Sequence, residues 1–232
     1  LSTLSDGDII EYRLKATDRA MSPNVGTEPM NGFFSITVKD VPAETEHYEN
    51  DFEGSSIDFS LDGFSVRAES GFDGSGLHSE HPYQNAGTGN KLNFTAQLRV
   101  PIKVVEDGMI EFEEVVLVEP AEANNNFGDA QFWDYVIVEA SEDNGVTWIA
   151  LTDGYDSRDQ AAWNSRYTTG LTGQNSSSTG DKELLRQRSI PLYQASLGIE
   201  IGDIVILRWR LFSDPFATGW GWMIDDLVIQ GN

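Results

Sequence analysis

The sequence predicts an all-β protein built as a β-sandwich. Three observations carry that expectation. Short segments rich in Val, Ile, Phe and Trp recur through the 232 residues. Turn dipeptides such as Asp62-Gly63, Asn144-Gly145 and Asp153-Gly154 separate them, and helical periodicity is nearly absent. Strands are expected over residues 8–16, 32–38, 91–100, 109–118, 135–140, 147–150, 185–191, 203–212 and 222–229.

The first two expected strands are followed by Val41-Pro42-Ala43-Glu44-Thr45-Glu46, where a proline and a short acidic run mark a boundary. The residues before it offer two or three strands, too few to close a sandwich of their own. Residues 1–41 therefore read as the end of a truncated module, residues 42–49 as a linker and residues 50–232 as the main domain. Gly7-Asp8-Ile9-Ile10-Glu11-Tyr12 followed by Gly32-Phe33-Phe34-Ser35-Ile36 resembles the last strands of a fibronectin-type-III-like or immunoglobulin-like module. That resemblance implies a spacer. The alternative is that these strands join the sheets of the larger domain.

Within the main domain, side chains alternate across each strand. Val136 and Val138 face one way and Tyr135, Ile137 and Glu139 the other; Asn144-Gly145 then provides a hairpin into the strand ending at Trp148-Ile149. Val205, Leu207, Trp209 and Leu211 share a face, which leaves Arg208 and Arg210 together on the opposite one. Two arginines there need solvent or acidic partners, for which Asp225, Asp226 and Glu139 are available. In the closing strand, strict alternation puts Met223, Asp225, Leu227 and Ile229 on one face and Ile224, Asp226 and Val228 on the other. One of the two adjacent carboxylates would then face inward, and it would need a bound cation or a buried arginine.

The segment 156–181 is polar and rich in Ser, Thr, Gly and Asn, and reads as an extended surface excursion. It carries Trp163, Arg166 and Tyr167, the combination of aromatic and hydrogen-bonding groups that a sugar-binding surface requires. The other reading is that these side chains pin the loop to the sheet.

Composition narrows the partners. With 38 acidic against 15 basic residues the formal charge is −23, which repels phosphate backbones and anionic membrane surfaces and attracts divalent cations. No nucleic-acid partner is expected. The absence of cysteine excludes a disulfide framework, thiolate zinc sites and a cysteine nucleophile. No apolar run approaches the roughly 20 residues that span a bilayer, so no membrane insertion is expected. The chain begins at Leu1 rather than Met, as expected of a processed or excised form.

Three blocks of the main domain resemble a known arrangement. They are Phe132-Trp133-Asp134-Tyr135-Val136-Ile137-Val138-Glu139-Ala140 with the following Asn144-Gly145-Val146-Thr147-Trp148, then Leu207-Arg208-Trp209-Arg210-Leu211, and the closing Gly221-Trp222-Met223-Ile224-Asp225-Asp226. In this order they are similar to the C-terminal MAM-like domain of immune inhibitor A type secreted bacterial metallopeptidases, related copies of which serve as accessory domains on exported bacterial surface proteins. Asp51-Phe52-Glu53 adds a fourth block that resembles the opening of MAM-type domains. The resemblance implies a non-catalytic, secreted jelly-roll β-sandwich, often stabilised by calcium, with its first and last strands adjacent.

Calcium takes six to eight hard oxygen ligands. Asp51, Glu53, Asp134, Asp225 and Asp226 are the candidate metal ligands, because the adjacency implied by the resemblance would bring the opening acids to the final pair. The competing reading is that the pair only neutralises Arg208 or Arg210. Asp153-Gly154-Tyr155-Asp156-Ser157-Arg158-Asp159 is also acidic, but its spacing matches no calcium loop and it reads as a solvated turn. His78-Ser79-Glu80-His81 lacks the His-Glu-x-x-His spacing of a zinc-peptidase helix, and Pro82 follows it directly; these read as loop residues. There is no Gly-x-Ser-x-Gly elbow and no phosphate-binding loop, so no catalytic residue is assigned. Among the tryptophans, Trp163 and Trp220 are the exposed candidates for stacking on sugar rings, with Arg166 and Tyr167 beside them as ligand-binding residues, whereas Trp222 reads as packing.

The expected function is a non-catalytic adhesion or accessory module of a secreted or surface-displayed bacterial protein. Its expected partners are an extracellular glycan or protein and upstream domains of the same polypeptide. The alternatives are the non-catalytic end of a secreted peptidase or glycosidase whose active site lies upstream, or a purely structural spacer.

Overall fold

The computed structural model describes residues 4–5, 7–38, 41–54, 57–83 and 91–231. The chain divides into two compact units, Leu1–Pro42 and Ala43–Asn232. The first holds β1 (Ile9–Tyr12), β2 (Leu14–Thr17), β3 (Val25–Glu28) and β4 (Phe34–Thr37). The strand expected over residues 8–16 is interrupted at Arg13: β1 pairs with β4 and β2 with β3, both antiparallel. None of this unit's described residues is buried. Its ladders rest on main-chain hydrogen bonds and on contacts such as Tyr12–Phe34, whose ring centroids are 5.3 Å apart.

The second unit contains β5 (Tyr48–Asn50), β6 (Phe59–Asp62), β7 (Phe64–Ala68), β8 (Ser75–Ser79), β9 (Leu92–Leu98) and β10 (Ile102–Lys103). It continues with β11 (Met109–Leu117), β12 (Tyr135–Ser141), β13 (Ile149–Ala150), the helix α1 (Ala161–Thr169), β14 (Leu171–Thr172) and β15 (Asn175–Ser176). Last come β16 (Arg186–Pro191), β17 (Ile204–Ser213) and β18 (Gly221–Ile229). One six-stranded sheet runs β13-β12-β17-β9-β6, with β10 also on β17; the other runs β16-β11-β18-β8-β7, with β5 also on β18. The chain crosses between the sheets repeatedly, which makes the unit a jelly-roll β-sandwich.

Two of the turn dipeptides behave differently. Asn144 and Gly145 both take positive φ, 58° and 87°, within the longer loop over residues 142–148 that joins β12 to β13. Asp62-Gly63 instead links β6 in one sheet to β7 in the other, and a Cβ at Gly63 would enter the Phe94 ring. It is a corner between layers.

The core lies between the sheets, and a chain of aromatic contacts crosses it. Phe59 meets Trp209 at 6.1 Å, Trp209 meets Phe112 at 6.2 Å, Phe112 meets Trp222 at 6.4 Å and Trp222 meets Phe64 at 6.2 Å. Large rings at edge and tilted angles fill the interlayer space and add specific ring contacts to the burial itself. The opening and closing strands are neighbours, with Asn50 opposite Leu227 and Glu49 opposite Val228. Among the described residues no helix is long and apolar enough to cross a membrane.

Candidate functional site

The closing strand does not alternate strictly. Glu111 faces Val228 but Glu113 faces Asp225, so Asp226 and Leu227 together oppose the single Phe112. Asp226 absorbs this bulge with a left-handed φ of 47°. Parity shifts by one: Trp222 and Ile224 before the bulge and Leu227 and Ile229 after it are buried, while Asp225 is half-buried and Asp226 exposed. Neither carboxylate enters the core, which corrects the inward-facing aspartate that simple alternation predicts.

The β5–β18 pairing gathers four of the five expected metal ligands into one region. Burial, followed by the charges of Asp226, Glu53 and Glu113, pushes Asp225 up to about 7. The Glu53 carboxylate accepts a hydrogen bond from the Ser75 N–H at 2.9 Å, and Asp51 accepts one from the Glu53 N–H at 3.1 Å. Asp51 and Asp226 line one groove of about 620 Å³. Asp134 does not join them.

Asp134 is fully buried just ahead of β12, where it accepts from the Tyr83 hydroxyl at 2.6 Å and from the Asp214 N–H at 2.8 Å. Its companions are Glu119, beyond the end of β11, and Asp214, beyond the end of β17; the three carboxylates lie within 4.8 Å of one another. Glu119 Oε2 is buried without a hydrogen-bond partner. Burial, then the charges of Asp214, Glu122 and Asp156, push Glu119 up to about 7, and burial also pushes Asp134 well up.

The two arginines on the outer face of β17 find their partner in Glu139. Arg208 Nε and Arg210 Nε lie 2.6 and 2.8 Å from its Oε2. Burial works against the ionised form, but the hydrogen bonds from Arg210 and Arg208 hold Glu139 below the ordinary glutamate range. The Asp225–Asp226 pair sits in the other sheet and takes no part.

The expected ligand-binding residues are anchors. Trp163, Tyr167 and Trp220 are only 0 %, 1 % and 4 % exposed, which removes them as open stacking surfaces. The segment read as an extended excursion contains α1, where Trp163 and Tyr167, four residues apart, share a face. Trp163 Nε1 donates to the Leu184 carbonyl at 2.8 Å, and the Tyr167 hydroxyl donates to the Thr218 carbonyl at 3.1 Å. Trp220 stacks on Phe72 and His81, with ring centroids 5.8 and 3.7 Å away. Arg166 pairs with Asp181 at 2.7 Å and donates to the Thr179 carbonyl, closing the segment on itself. His78 also departs from expectation: it lies in β8, fully buried.

Half-exposed aromatic rings and polar side chains meet instead in an open cleft of about 400 Å³. Asn125, Asn126, Phe127, Phe132, Asp153 and Arg158 line it. Phe127 packs edge-on against Phe132 and Tyr135 at 5.8 and 5.0 Å, and the Arg158 guanidinium lies 5.2 Å from the Phe132 ring centre. Gly154 lets the Phe127 ring approach, because a Cβ there would overlap it. Asp156, expected in a solvated turn, is buried: it accepts from the Ala121 N–H at 3.1 Å and pairs with Arg158 at 2.9 Å.

Glu114 lies beneath this cleft at 1 % exposure. It accepts from Arg188 Nε at 2.7 Å and from the Tyr155 hydroxyl and Trp222 Nε1, both at 2.8 Å. Burial pushes its carboxyl up in spite of these partners. Arg188 continues to Asp159 at 2.9 Å and lies 4.0 Å over the Tyr155 ring. Both carboxylates under the cleft are thus held by arginine, Asp156 by Arg158 and Glu114 by Arg188.

No protein-family model and no curated protein matches this chain. Several solved structures are similar to it. One is the K1 cleaved adhesin domain of Lys-gingipain from Porphyromonas gingivalis W83, at 15% identity and a TM-score of 0.46 over 80% of this chain and 98% of that one. A second is CBM28, a carbohydrate-binding module specific for non-crystalline cellulose, at 11% identity and a TM-score of 0.45 over 77% and 91% of the two chains. A third is CBM27-1 of Caldicellulosiruptor saccharolyticus in complex with mannohexaose, at 10% identity and a TM-score of 0.39 over 81% and 97%.

Proposed function

We propose that this chain is a non-catalytic glycan-binding accessory module of a secreted or surface-displayed polypeptide, and that its ligand occupies the cleft between Phe127 and Arg158. The observation that carries this reading is the composition of that cleft. A pyranose presents apolar C–H faces and a rim of hydroxyls, and the cleft offers half-exposed ring surface beside amide, carboxylate and guanidinium groups. Its volume of about 400 Å³ lies in the range of small-ligand sites. The proposal moves the ligand away from Trp163, Arg166, Tyr167 and Trp220 while keeping the chemistry expected of them.

The test is a glycan array followed by titration calorimetry on the best ligand. Phe127→Ala combined with Phe132→Ala is expected to weaken binding at least tenfold, about 1.4 kcal/mol, with Arg158→Ala having a smaller effect. An array without a single reproducible ligand, or a ligand bound equally well by the double variant, would overturn the assignment.

The same proposal includes a structural divalent cation, calcium by the oxygen chemistry of its ligands, at Glu119, Asp134 and Asp214. The unpartnered Glu119 Oε2 and the mutual approach of three carboxylates support it. The sign of the pH dependence follows from Glu119, raised to about 7, and Asp225, also raised to about 7. A carboxyl whose folded pKa exceeds its unfolded one holds its proton more tightly when folded. Its contribution to stability is therefore complete below about 4 and is lost as pH rises through about 7. In chelator, the melting temperature is expected to fall between pH 5 and pH 8, and millimolar calcium is expected to flatten that fall by taking the place of the proton. Asp134→Asn should abolish the calcium effect while Asp225→Asn leaves it. Identical melting curves at pH 8 with calcium and with chelator would refute the cation.

A further inference from the structure

We propose that the chain carries a second, independent metal site, for a transition-metal ion of the zinc class, formed by His78, His81 and Glu69. The ligand atoms of these three residues lie within 4.8 Å of one another. They come from the β7–β8 hairpin and the turn after it: Ser65 pairs with His78 across the hairpin, Glu69 directly follows β7, and His81 lies two residues beyond β8. Calcium and magnesium take oxygen ligands, whereas two imidazoles and a carboxylate suit zinc, nickel or copper.

Proton accounting shows how the imidazoles are prepared. His81 Nδ1 is 2.7 Å from the Trp220 carbonyl oxygen, so that nitrogen carries the hydrogen and Nε2 presents a lone pair. The His81 ring also stacks on Trp220 at 3.7 Å, which fixes its plane. A carbonyl that holds the distal N–H of a histidine is the usual outer-shell support of a metal-ligating imidazole. His81 Nε2 points at His78 Nδ1, 2.9 Å away. If that contact is a hydrogen bond, His78 donates from Nδ1, and its Nε2 is left as a buried acceptor with no donor. A fully buried His78 ring with His81 as the partner of one nitrogen and none at the other is a costly arrangement for packing alone.

Burial, then the neighbouring His81 and the Arg67 charge, hold His78 at about 3, and burial first holds His81 at about 3. A cleft of about 450 Å³ lined by Arg67, Glu69, Glu80, His81 and Pro82 gives an ion and a water ligand access from solvent.

Arg67 opposes the site. Its Nε lies 3.2 Å from the Glu69 carboxylate, and its guanidinium donates to the Ser79 carbonyl at 2.9 Å. Glu69 must share its charge between this guanidinium and the ion, and Glu80 adds a second carboxylate at the rim of the cleft. The ring nitrogens must also separate: metal–nitrogen bonds of about 2.0–2.1 Å in a tetrahedron put two nitrogens about 3.3 Å apart, against the 2.9 Å found here. A movement of a few tenths of an ångström meets that requirement, and the outcome would be a staple fastening the β7–β8 hairpin to the turn that follows β8.

The test is calorimetric titration of the chelator-treated chain with zinc chloride in excess calcium, which fills the carboxylate clusters. One zinc per chain with a dissociation constant of 10 μM or tighter is expected, weakened at least tenfold in His81→Ala and in the surface variant Glu69→Gln, and unchanged in His47→Ala. Because His81→Ala also removes the ring that stacks on Trp220, the wild-type chain is also followed by ¹⁵N-detected imidazole spectra, where zinc should shift His81 Nε2 and His78 Nδ1 and leave His81 Nδ1 on its carbonyl. Absence of saturable zinc binding below 1 mM, full binding in both Glu69→Gln and His81→Ala, or unshifted imidazole nitrogens at saturation would overturn the site.

Discussion

Replacing Glu114 with alanine is expected to cost about 3–5 kcal/mol of stability, the range found when one partner of a buried ion pair is removed. Arg188 would keep only the partly exposed Asp159, and the Tyr155 hydroxyl and Trp222 Nε1 would lose the oxygen to which both donate. Leaving buried donors unmade accounts for roughly 1–3 kcal/mol each, so the loss comes from stranded partners more than from the missing side chain. Glu114→Gln should recover only part of it, because an amide presents one oxygen where the carboxylate serves three donors on two. Removing the charge on both sides, Glu114→Leu with Arg188→Leu, should be milder than Glu114→Ala alone, since a buried pair replaced by apolar groups is often nearly neutral. Urea denaturation of the four chains measures this, and a loss below about 1 kcal/mol in Glu114→Ala would show that the network is dispensable. The consequence reaches the cleft, because Tyr155 and Arg188 belong both to this network and to the cleft wall.

The legible parts of this fold were those with long apolar alternation. Strands β11, β12, β17 and β18 carry their own hydrophobic faces, and each falls within a residue or two of its expected span. Strands β5 to β8 are too short for that, five residues at most. In Ser75-Gly76-Leu77-His78-Ser79 a single aliphatic side chain marks a strand that is almost entirely buried, because its environment comes from neighbours rather than from its own pattern. The bulge at Asp226 was illegible for a related reason. Two adjacent aspartates in an apolar run contradict alternation, and the contradiction can be removed by a ligand, by an arginine or by one extra residue; the fold uses the extra residue. The site residues follow the same division. Asp51, Glu53, Asp225 and Asp226 come together through pairing of the first and last strands, whereas Asp134 meets Glu119 and Asp214 at strand ends distant in sequence. Only the i, i+4 spacing of Trp163 and Tyr167 signalled α1, a nine-residue helix without strong polar and apolar faces.

That helix sets the second large expectation. Trp163→Ala should destabilise the sandwich by about 3–5 kcal/mol, the range for truncating a buried tryptophan, and should do so without touching the cleft lined by Phe127 and Arg158. The indole is completely enclosed, and its Nε1 holds the Leu184 carbonyl. Low helix propensity in Asn164, Ser165, Thr168 and Thr169 leaves α1 dependent on such tertiary anchors. The first consequence should be local: residues 160–185 open before the sheets do, because that segment is fastened by a few side chains while β11, β17 and β18 are paired on both sides. Limited proteolysis is expected to cut the variant at Arg166 at temperatures where the wild-type chain resists, and urea denaturation is expected to show the lowered midpoint. A tryptophan serving as a sugar platform would behave in the opposite way, with stability within about 0.5 kcal/mol of wild type and glycan binding lost. The two readings of Trp163, anchor or platform, are separated by measuring both quantities on one protein, and enclosure of the indole on all sides favours the anchor.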